Sequence, residues 1–554
     1  MTDQPEPGAV ASAEGRRRWT DALANSAARA PARLVFWSVA LVVGIVSGYM
    51  AIGFRLAIDV LQETFYGANG AMLHSHAANL SPWLIFLLPI CGGLAVGLIL
   101  HFFTPNGKAA SVSDVIAAAA LRDARVDRKI GVASAFASLI TLSTGGSTGR
   151  EGPVVHLAAV IAGWFDDKLD HHGVTARDIL GCAVAAAVSA SFNAPIAGAL
   201  FALEVVLRHY ALHAFGPIVM ASVAGTVISR IHMGEIAQFA LPPNSLAFYV
   251  EIPAFMILGV VCGVVAVVFM RALFVAEDLA DKMQDRTGTP RWLRPVVAGA
   301  MLGAIAIYFP HIIGVGYETT SLALTGQLPL WIAIGFAVVK ALAVAITYAG
   351  RMGGGVFSPA LMMGALTGIA FGAIATEIFP EMSGTSGLYA LAGMGAVASA
   401  VLGAPISTTL IVFELTGDYQ TAIAVMVSVS LASVTAHRFV WKSFFLSQLM
   451  RAGVNLAEGP ERYLPPTIKA LGLMRIRGDD RCASDTACWA LVEQGAVLKR
   501  GATLADALPM FERDQLEFVP LIDEDRSLLG AVYHIDALKA FNRALLEADR
   551  ERGG

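Results

Sequence analysis

The sequence predicts an all-α polytopic membrane protein with a small α/β unit near its C-terminus. Three observations lead there. The 554 residues are 56% hydrophobic and only 15% charged, with a mean hydropathy of +0.63; soluble domains carry more charge. Apolar runs recur from residue 34 to residue 440. Hydropathy falls beyond residue 455, where Pro460, Pro465 and Pro466 mark a linker.

Residues 1–32 are polar, without the pattern of a secretory signal peptide. Arg16, Arg17 and Arg18 precede the first apolar run, so the positive-inside rule puts the N-terminus on the cytoplasmic side. The membrane region is expected over 33–455. Its apolar segments include 34–60, 82–103, 212–231, 251–275, 292–309 and 329–349. Others are short or interrupted by Gly and Pro and read as tilted or broken helices. Between them, Leu121–Lys129 holds Arg122, Arg125, Arg128 and Lys129 beside Asp123 and Asp127, and reads as a solvated loop face. The 54 glycines suit backbone-to-backbone helix packing in lipid. They do not separate one function from another.

Composition also excludes functions. The net charge of -4 implies no nucleic-acid partner. Cys91, Cys182 and Cys262 lie in apolar runs and read as small core residues. Cys482 and Cys488 lie in the tail without metal-like spacing or a nearby His, so no zinc is expected. The membrane region has no Ser/His dyad, His-rich spacing or nucleotide loop, so neither an enzyme nor a cofactor is expected.

Chemistry concentrates in Gly149-Arg150-Glu151-Gly152-Pro153. A charge at membrane depth is costly and points to function. The glycines let the backbone leave regular helix and approach a ligand, and the proline suits the first turn of a following helix. The segment reads as a break between half-helices that carries a titratable carboxylate, the way membrane proteins build ion sites.

The chain also repeats itself. Ser189-Ala190-Ser191-Phe192-Asn193-Ala194-Pro195-Ile196 leads to Leu200 and Glu204. Ser399-Ala400-Val401-Leu402-Gly403-Ala404-Pro405-Ile406 leads to Leu410 and Glu414 at the same spacing. Gly353-Gly354-Gly355-Val356-Phe357-Ser358-Pro359 answers the motif ending at Pro153 at nearly the same offset. Two repeats, roughly 82–231 and 292–440, predict a duplicated fold with its site at the repeat interface. Sequence leaves open whether they are inverted.

Residues 456–496 are expected to be linker, 497–546 a small α/β domain and 547–554 a tail. Ala502–Glu512 has helical spacing, Phe518–Ile522 and Leu528–Val532 read as strands, and a helix follows from Ile535.

These motifs resemble the chloride channel (CLC) family of anion channels and proton-coupled anion antiporters. Gly149–Pro153 is similar to its G-(K/R)-E-G-P motif and Gly355–Pro359 to its G-x-F-x-P motif, with the paired Ala-Pro-Ile segments as the third mark. The resemblance covers roughly 34–455. It implies an inverted-repeat homodimer in the membrane, with a separate anion pathway in each subunit, with chloride, protons and lipid as its partners, in a bacterial inner membrane with both termini cytoplasmic. Glu151 is then the gate: ionised, it occupies an anion site; protonated, it swings away. Its bland alternative is a salt bridge to Arg150 that pins the loop. Helix N-termini supply N–H groups and partial positive potential to an anion, which points to Gly149, Arg150, Gly152, Gly355, Val356 and Phe357 as its binding surface. The 497–546 segment looks like a CBS-type module, in which Asp536 fits the position that accepts from the ribose of an adenine nucleotide; a dimer-stabilising tail is the alternative.

The sequence departs from the family at three places. The loop serine that would reach the central anion falls on Ala110, with Ser111 adjacent; Ser111 either serves after a one-residue shift or caps a helix. The pore-lining tyrosine falls on Phe445, which keeps the ring and loses the hydroxyl. The inner proton glutamate of antiporters falls on Val205. Neighbouring Glu204, with its counterpart Glu414, is expected to bond neighbouring backbone; Glu204 is also the candidate substitute proton carrier. These departures favour channel-like or weakly proton-coupled anion passage over chloride/proton antiport. A fluoride exporter ranks lower, because such relatives tend to differ at the position of Pro153.

Overall fold

The computed structural model describes residues 7–553 except 122–123, 169–174, 209–211, 235–247, 381–383, 455, 457–463, 466–467, 480, 524 and 526; for 7–33, 212, 248–249, 513–514 and 547–553 only the backbone is described. Arg122, Asp123, Pro460 and Pro466, named above, therefore lie outside the description, wholly or in part of their segment. Among the described residues seven helices are long and apolar enough to cross a bilayer: Leu34–Tyr66, Pro82–Phe103, His213–Met233, Ile252–Thr287, Leu330–Ala349, Phe357–Ile378 and Tyr419–Arg451.

Two of these findings correct the apolar runs read from sequence. The run at 292–309 forms the helix Arg294–Tyr308, 15 residues long, short of the ~20 needed to span hydrocarbon. It is pressed against Pro82–Phe103: a Cβ on Gly299 would lie 2.1 Å from the Pro89 carbonyl oxygen. The span Phe357–Ile378 was missing from the segments named above. It begins inside the second glycine-rich motif, and its Gly, Ala and Met content dilutes the apolar signal. It is also the most deeply packed of the seven, with 78% of its apolar window buried. Cys182 and Cys262 are core residues, but Cys91 is exposed on the outer face of its helix.

The repeated segments fold alike. Ala176–Phe192 ends at Asn193 with φ 57°, and Ser386–Leu402 ends at Gly403 with φ 71°. Both are left-handed caps, a conformation open chiefly to Gly and Asn. The next helices then start at Pro195 and Pro405, the first-turn position proline favours.

Each new helix is capped from the other repeat. The Glu414 carboxylate accepts from the Ile196 and Ala197 N–H groups at 2.9 and 2.8 Å. Glu204 accepts from the Ile406 and Ser407 N–H groups at 3.1 and 2.8 Å, and from the Ser407 hydroxyl at 2.5 Å. An exposed N-terminus in lipid leaves several N–H groups without partners; the crossed glutamates satisfy two at each end.

The basic stretch near residue 125 is more than a solvated face. Arg125 pairs with Asp166 at 3.5 Å and Arg128 pairs with Asp167, which ties the loop to the far end of the helix Glu151–Asp166. Asp127 caps the following helix by accepting from the Ile130 N–H.

At the C-terminus four strands, β1 Met474–Ile476, β2 Leu498–Lys499, β3 Phe518–Ile522 and β4 Leu528–Tyr533, form a sheet of order β1-β4-β3-β2. β2 and β3 run parallel and the other pairs antiparallel. The helices Leu504–Asp514 and His534–Gly553 follow the expected order. The expected linker 456–496 is corrected, since it contributes β1 and the helix Asp485–Glu493 to this unit. β1 was illegible because Met474-Arg475-Ile476 is short and charged at its centre.

Glu414→Ala should lower stability by about 1–3 kcal/mol, since it strands two N–H groups in an apolar setting. Thermal unfolding of the detergent-solubilised protein, followed by intrinsic fluorescence, checks this; Glu204→Ala should behave likewise.

Candidate ion-pathway site

The two glycine-rich motifs meet backbone to backbone. The Gly149 N–H donates to the Gly355 carbonyl at 2.7 Å, and the Gly355 N–H returns to the Gly149 carbonyl at 2.8 Å. This contact admits no side chain: a Cβ on Gly355 would lie 2.9 Å from the Gly152 nitrogen. Gly354 has φ +139°, and a Cβ there would sit 2.1 Å from the Thr148 hydroxyl oxygen. The helices Glu151–Asp166 and Phe357–Ile378 therefore begin side by side. Their first N–H groups lack intrahelical acceptors and add partial positive potential at one place.

Glu151 is buried at that junction. Its Oε2 accepts from the Ser358 hydroxyl at 2.5 Å, and its Oε1 has no hydrogen-bond partner among the described residues. Arg150 is not a close clamp, since its Nε stands 3.9 Å from Oε1. It is drawn away by the Ser191 carbonyl, 3.3 Å from its Nη2, and by the Tyr317 ring, whose centroid lies 5.0 Å from the guanidinium.

Small cavities flank the junction. The first, of about 20 Å³, is fronted by Arg150 with Asp59, His74, His311, Tyr317 and Glu318. Near it the fully buried Lys340 donates to the Ile312 and Gly314 carbonyls at 3.1 and 3.0 Å, which holds its amine behind this wall. The second, of about 30 Å³, is fronted by Gly152, Gly355 and Val356, room for one small ion or water. Its polar lining includes Ser111, Thr148, Tyr348 and Gln448. Phe445 lines this cavity and also a wide vestibule of about 1160 Å³. It is the apolar partition between them.

The structure thus brings together Gly149, Arg150, Glu151, Gly152, Gly355 and Val356. Phe357 starts its helix there, but its ring turns into the core, 4.9 Å from Phe192 and 6.0 Å from Phe201. Ser111, not Ala110, lines the central cavity; its hydroxyl lies 2.7 Å from Ser113 Oγ and 3.3 Å from Gln448 Oε1. Glu204 and Val205 line the vestibule, apart from the central cavity, and the three donors on Glu204 described above engage both its oxygens. Asp536 belongs to the C-terminal unit, where Arg475 Nε donates to it at 2.8 Å while its guanidinium covers the Tyr533 ring at 3.8 Å.

Sequence reasoning missed Ser358, Tyr348 and Gln448. Ser358 is one of the two variable letters of the second motif. Gln448 stands one helical turn after Phe445, where an inward-facing partner falls. Tyr348 ends the helix just before the glycine-rich loop. Gln448 Nε2 donates to the Tyr348 hydroxyl at 3.1 Å, so the hydroxyl lost at Phe445 has a counterpart on another helix.

Ser358→Ala removes the one hydrogen bond to the Glu151 carboxylate found among the described residues. A bond to a charged group contributes roughly 1.5–3 kcal/mol. If protonation of Glu151 releases the pathway, flux should half-activate about one pH unit or more higher than in the unaltered protein. Chloride efflux from liposomes over a pH series measures this.

Comparison with known proteins places this geometry. The family described as "Voltage gated chloride channel" matches residues 92–437. A putative chloride channel protein, ClcB-like, of Ralstonia nicotianae is 29% identical over 419 residues, covering 75% of this chain and 96% of its own length. The voltage-gated ClC-type chloride channel ClcB of Escherichia coli is 30% identical over 418 residues, covering 72% of this chain and 96% of its own. A crystal structure of a slow cyanobacterial Cl−/H+ antiporter shares the fold with a TM-score of 0.65 at 22% identity, covering 75% of this chain and 97% of that one. The chain is an integral membrane protein of the voltage-gated chloride channel (CLC) family, an anion-transport family, and has its inverted-repeat helical fold.

Proposed function

We propose that the protein passes chloride and similar small anions through a CLC-type pathway gated by Glu151, in a channel-like or weakly proton-coupled manner. The observation that carries this is the buried Glu151 carboxylate at the meeting of two helix N-termini, its neighbour Arg150 fronting the first cavity and its neighbour Gly152 the second. An ionised carboxylate there competes with an anion for the same potential. Protonation removes that competition. The central cavity offers hydroxyl, amide and backbone donors without a full positive charge, which suits a site that an ion must also leave.

Weak coupling is favoured by Val205, which carries no proton, and by the engagement of both Glu204 oxygens. The second reading is a chloride/proton antiporter, favoured by the fold shared with the cyanobacterial antiporter. Fluoride export ranks below both, since Pro153 is kept. We assign the protein to a bacterial inner membrane as a homodimer with cytoplasmic termini. At the C-terminal unit a structural role is the better reading. Adenine nucleotide binding at Asp536 would require its bond with Arg475 to open.

Glu151→Gln should give chloride flux in liposomes that no longer varies with pH. PH dependence like that of the unaltered protein would remove Glu151 from the gate. The reversal potential under crossed chloride and pH gradients separates the two readings: a channel follows chloride alone, and an antiporter also moves protons uphill.

A further inference from the structure

The helices Ile252–Thr287, Leu330–Ala349 and Phe357–Ile378 are all long and apolar enough to cross the bilayer, and the face they form together is not flat. A groove of about 570 Å³ runs between them. Each helix gives it one stripe of residues three or four apart: Val261 to Ala272, Ile334 to Ala341, and Met363 to Ile374. That is the spacing of a single helix face. The lips are open, with Val268 62% and Val338 64% exposed, while Leu366 and Ala370 in the floor are 0% and 8% exposed. Thr367 is the one polar side chain in the lining, and its hydroxyl donates to the Met363 carbonyl at 2.8 Å. Nothing in the walls asks for a polar ligand.

The groove has a direction. The helices Leu330–Ala349 and Phe357–Ile378 form a hairpin around the second glycine-rich motif, so Leu330 and Ile378 lie at one end and the motif at the other. Phe274 meets Tyr348 at the motif end, 6.5 Å between ring centroids, which puts Val261 of the third helix at the same end as Ile334. Farther along that third helix Asp278 pairs with Arg451, where the chain leaves the membrane region. The groove therefore starts toward the opposite face and runs to the bilayer middle. From Val261 to Ala272 it is about 16 Å long at a rise of about 1.5 Å per residue, which matches one leaflet of a hydrocarbon core about 30 Å thick.

The mouth carries its own chemistry. The stripe that ends at Ile374 continues, one helical turn on, to Glu377, which is exposed and makes no ion pair among the described residues. The stripe that begins at Ile334 continues, one turn back, to Trp331, which is 79% exposed. An exposed tryptophan at a helix end marks the level of the lipid headgroups. No Lys or Arg occurs over 252–270, 330–339 or 357–378. A carboxylate at headgroup level with no cation on these helices near it favours a headgroup that brings its own positive charge, and disfavours an anionic one.

From this juxtaposition we infer that the groove binds one ethanolamine phospholipid of the leaflet remote from the C-terminal unit. One acyl chain lies between the three helices, and the headgroup ammonium meets the Glu377 carboxylate beside Trp331. The chain then rests on Leu366 and Ala370, in the helix that begins at the second glycine-rich motif. Neither Glu151 nor the mode of anion passage enters this assignment. The bland alternative is annular lipid, which covers every apolar face alike and does not select a headgroup.

The test uses the full-length protein in liposomes doped with a phospholipid that carries a photoactivatable acyl chain, with either an ethanolamine or a glycerol headgroup. A photoactivatable free fatty acid is the third probe. Adducts are mapped by mass spectrometry of peptides. The ethanolamine probe should label the groove stripes about fivefold more than exposed apolar positions elsewhere, such as Val297 and Met301. It should also label them about fivefold more than the glycerol probe does, the size of effect expected for one charge at headgroup level. Glu377→Lys, at an exposed helix end, should reverse the headgroup preference. Ala337→Phe, which fills the groove, should abolish labelling there and leave Val297 and Met301 labelled as before. Equal labelling of groove and other faces means annular lipid only and overturns the site. A headgroup preference unmoved by Glu377→Lys overturns the role of the carboxylate, and free fatty acid labelling as strong as that by the ethanolamine lipid overturns the phospholipid. Protection of the groove from all three probes, as by a second copy of the chain or a partner helix, also overturns the assignment.

Discussion

The reciprocal hydrogen bonds between Gly149 and Gly355 are the constraint on which the site depends. Two bonds of 2.7 and 2.8 Å lock the break in one repeat to the break in the other. They set the starting points of two helices side by side without any side chain between them. Everything anionic in the site answers to that placement. The N–H groups and dipoles of the two helices converge, and the Glu151 carboxylate lies where they converge. Ser358, from the second repeat, donates a hydrogen bond to one of its oxygens. A single repeat could supply one helix end but not the facing pair.

The two sides of this junction differ in kind. Toward the first cavity stand Arg150, Asp59, Glu318 and two histidines, with Lys340 buried behind. Toward the second stand hydroxyls, an amide and open backbone, closed off by Phe445. The charges on the first side are of both signs, Arg150 standing with Asp59 and Glu318. Neutral donors on the other hold an ion less firmly, so it can proceed. Phe445 presents no donor toward the vestibule, and an apolar constriction of this sort resists wetting.

Much of this was legible in the sequence, for physical reasons. Membrane spans are announced by apolar length, and Glu151 by the cost of a charge at depth. The repeat was legible because a left-handed cap followed by proline tolerates few residues, so Asn193 and Gly403 mark the same turn. The reading of Glu204 and Glu414 as backbone-bonding groups was possible, but their crossing between repeats was not, since no local pattern encodes a contact some two hundred residues away. Tyr348, Gln448 and Ser358 escaped for the same reason: each is an ordinary residue on a helix until a distant segment faces it. The helix Arg294–Tyr308 looked like a span because hydropathy reports burial in apolar surroundings and cannot tell lipid from protein. The strand at Met474–Ile476 was lost because three residues carry too little periodicity to read.

The crossed glutamate caps carry a consequence for how the chain is made. When the ribosome has delivered the helix beginning at Pro195, the residue that will close its end, Glu414, is still some two hundred positions from being synthesised. The early half must wait in the bilayer with open amides, held by water, headgroups or the insertion machinery. Only completion of the late half lets both ends close together. Biogenesis of this chain is therefore an assembly of two interdependent pieces, and truncation between them should yield a product that inserts but does not mature.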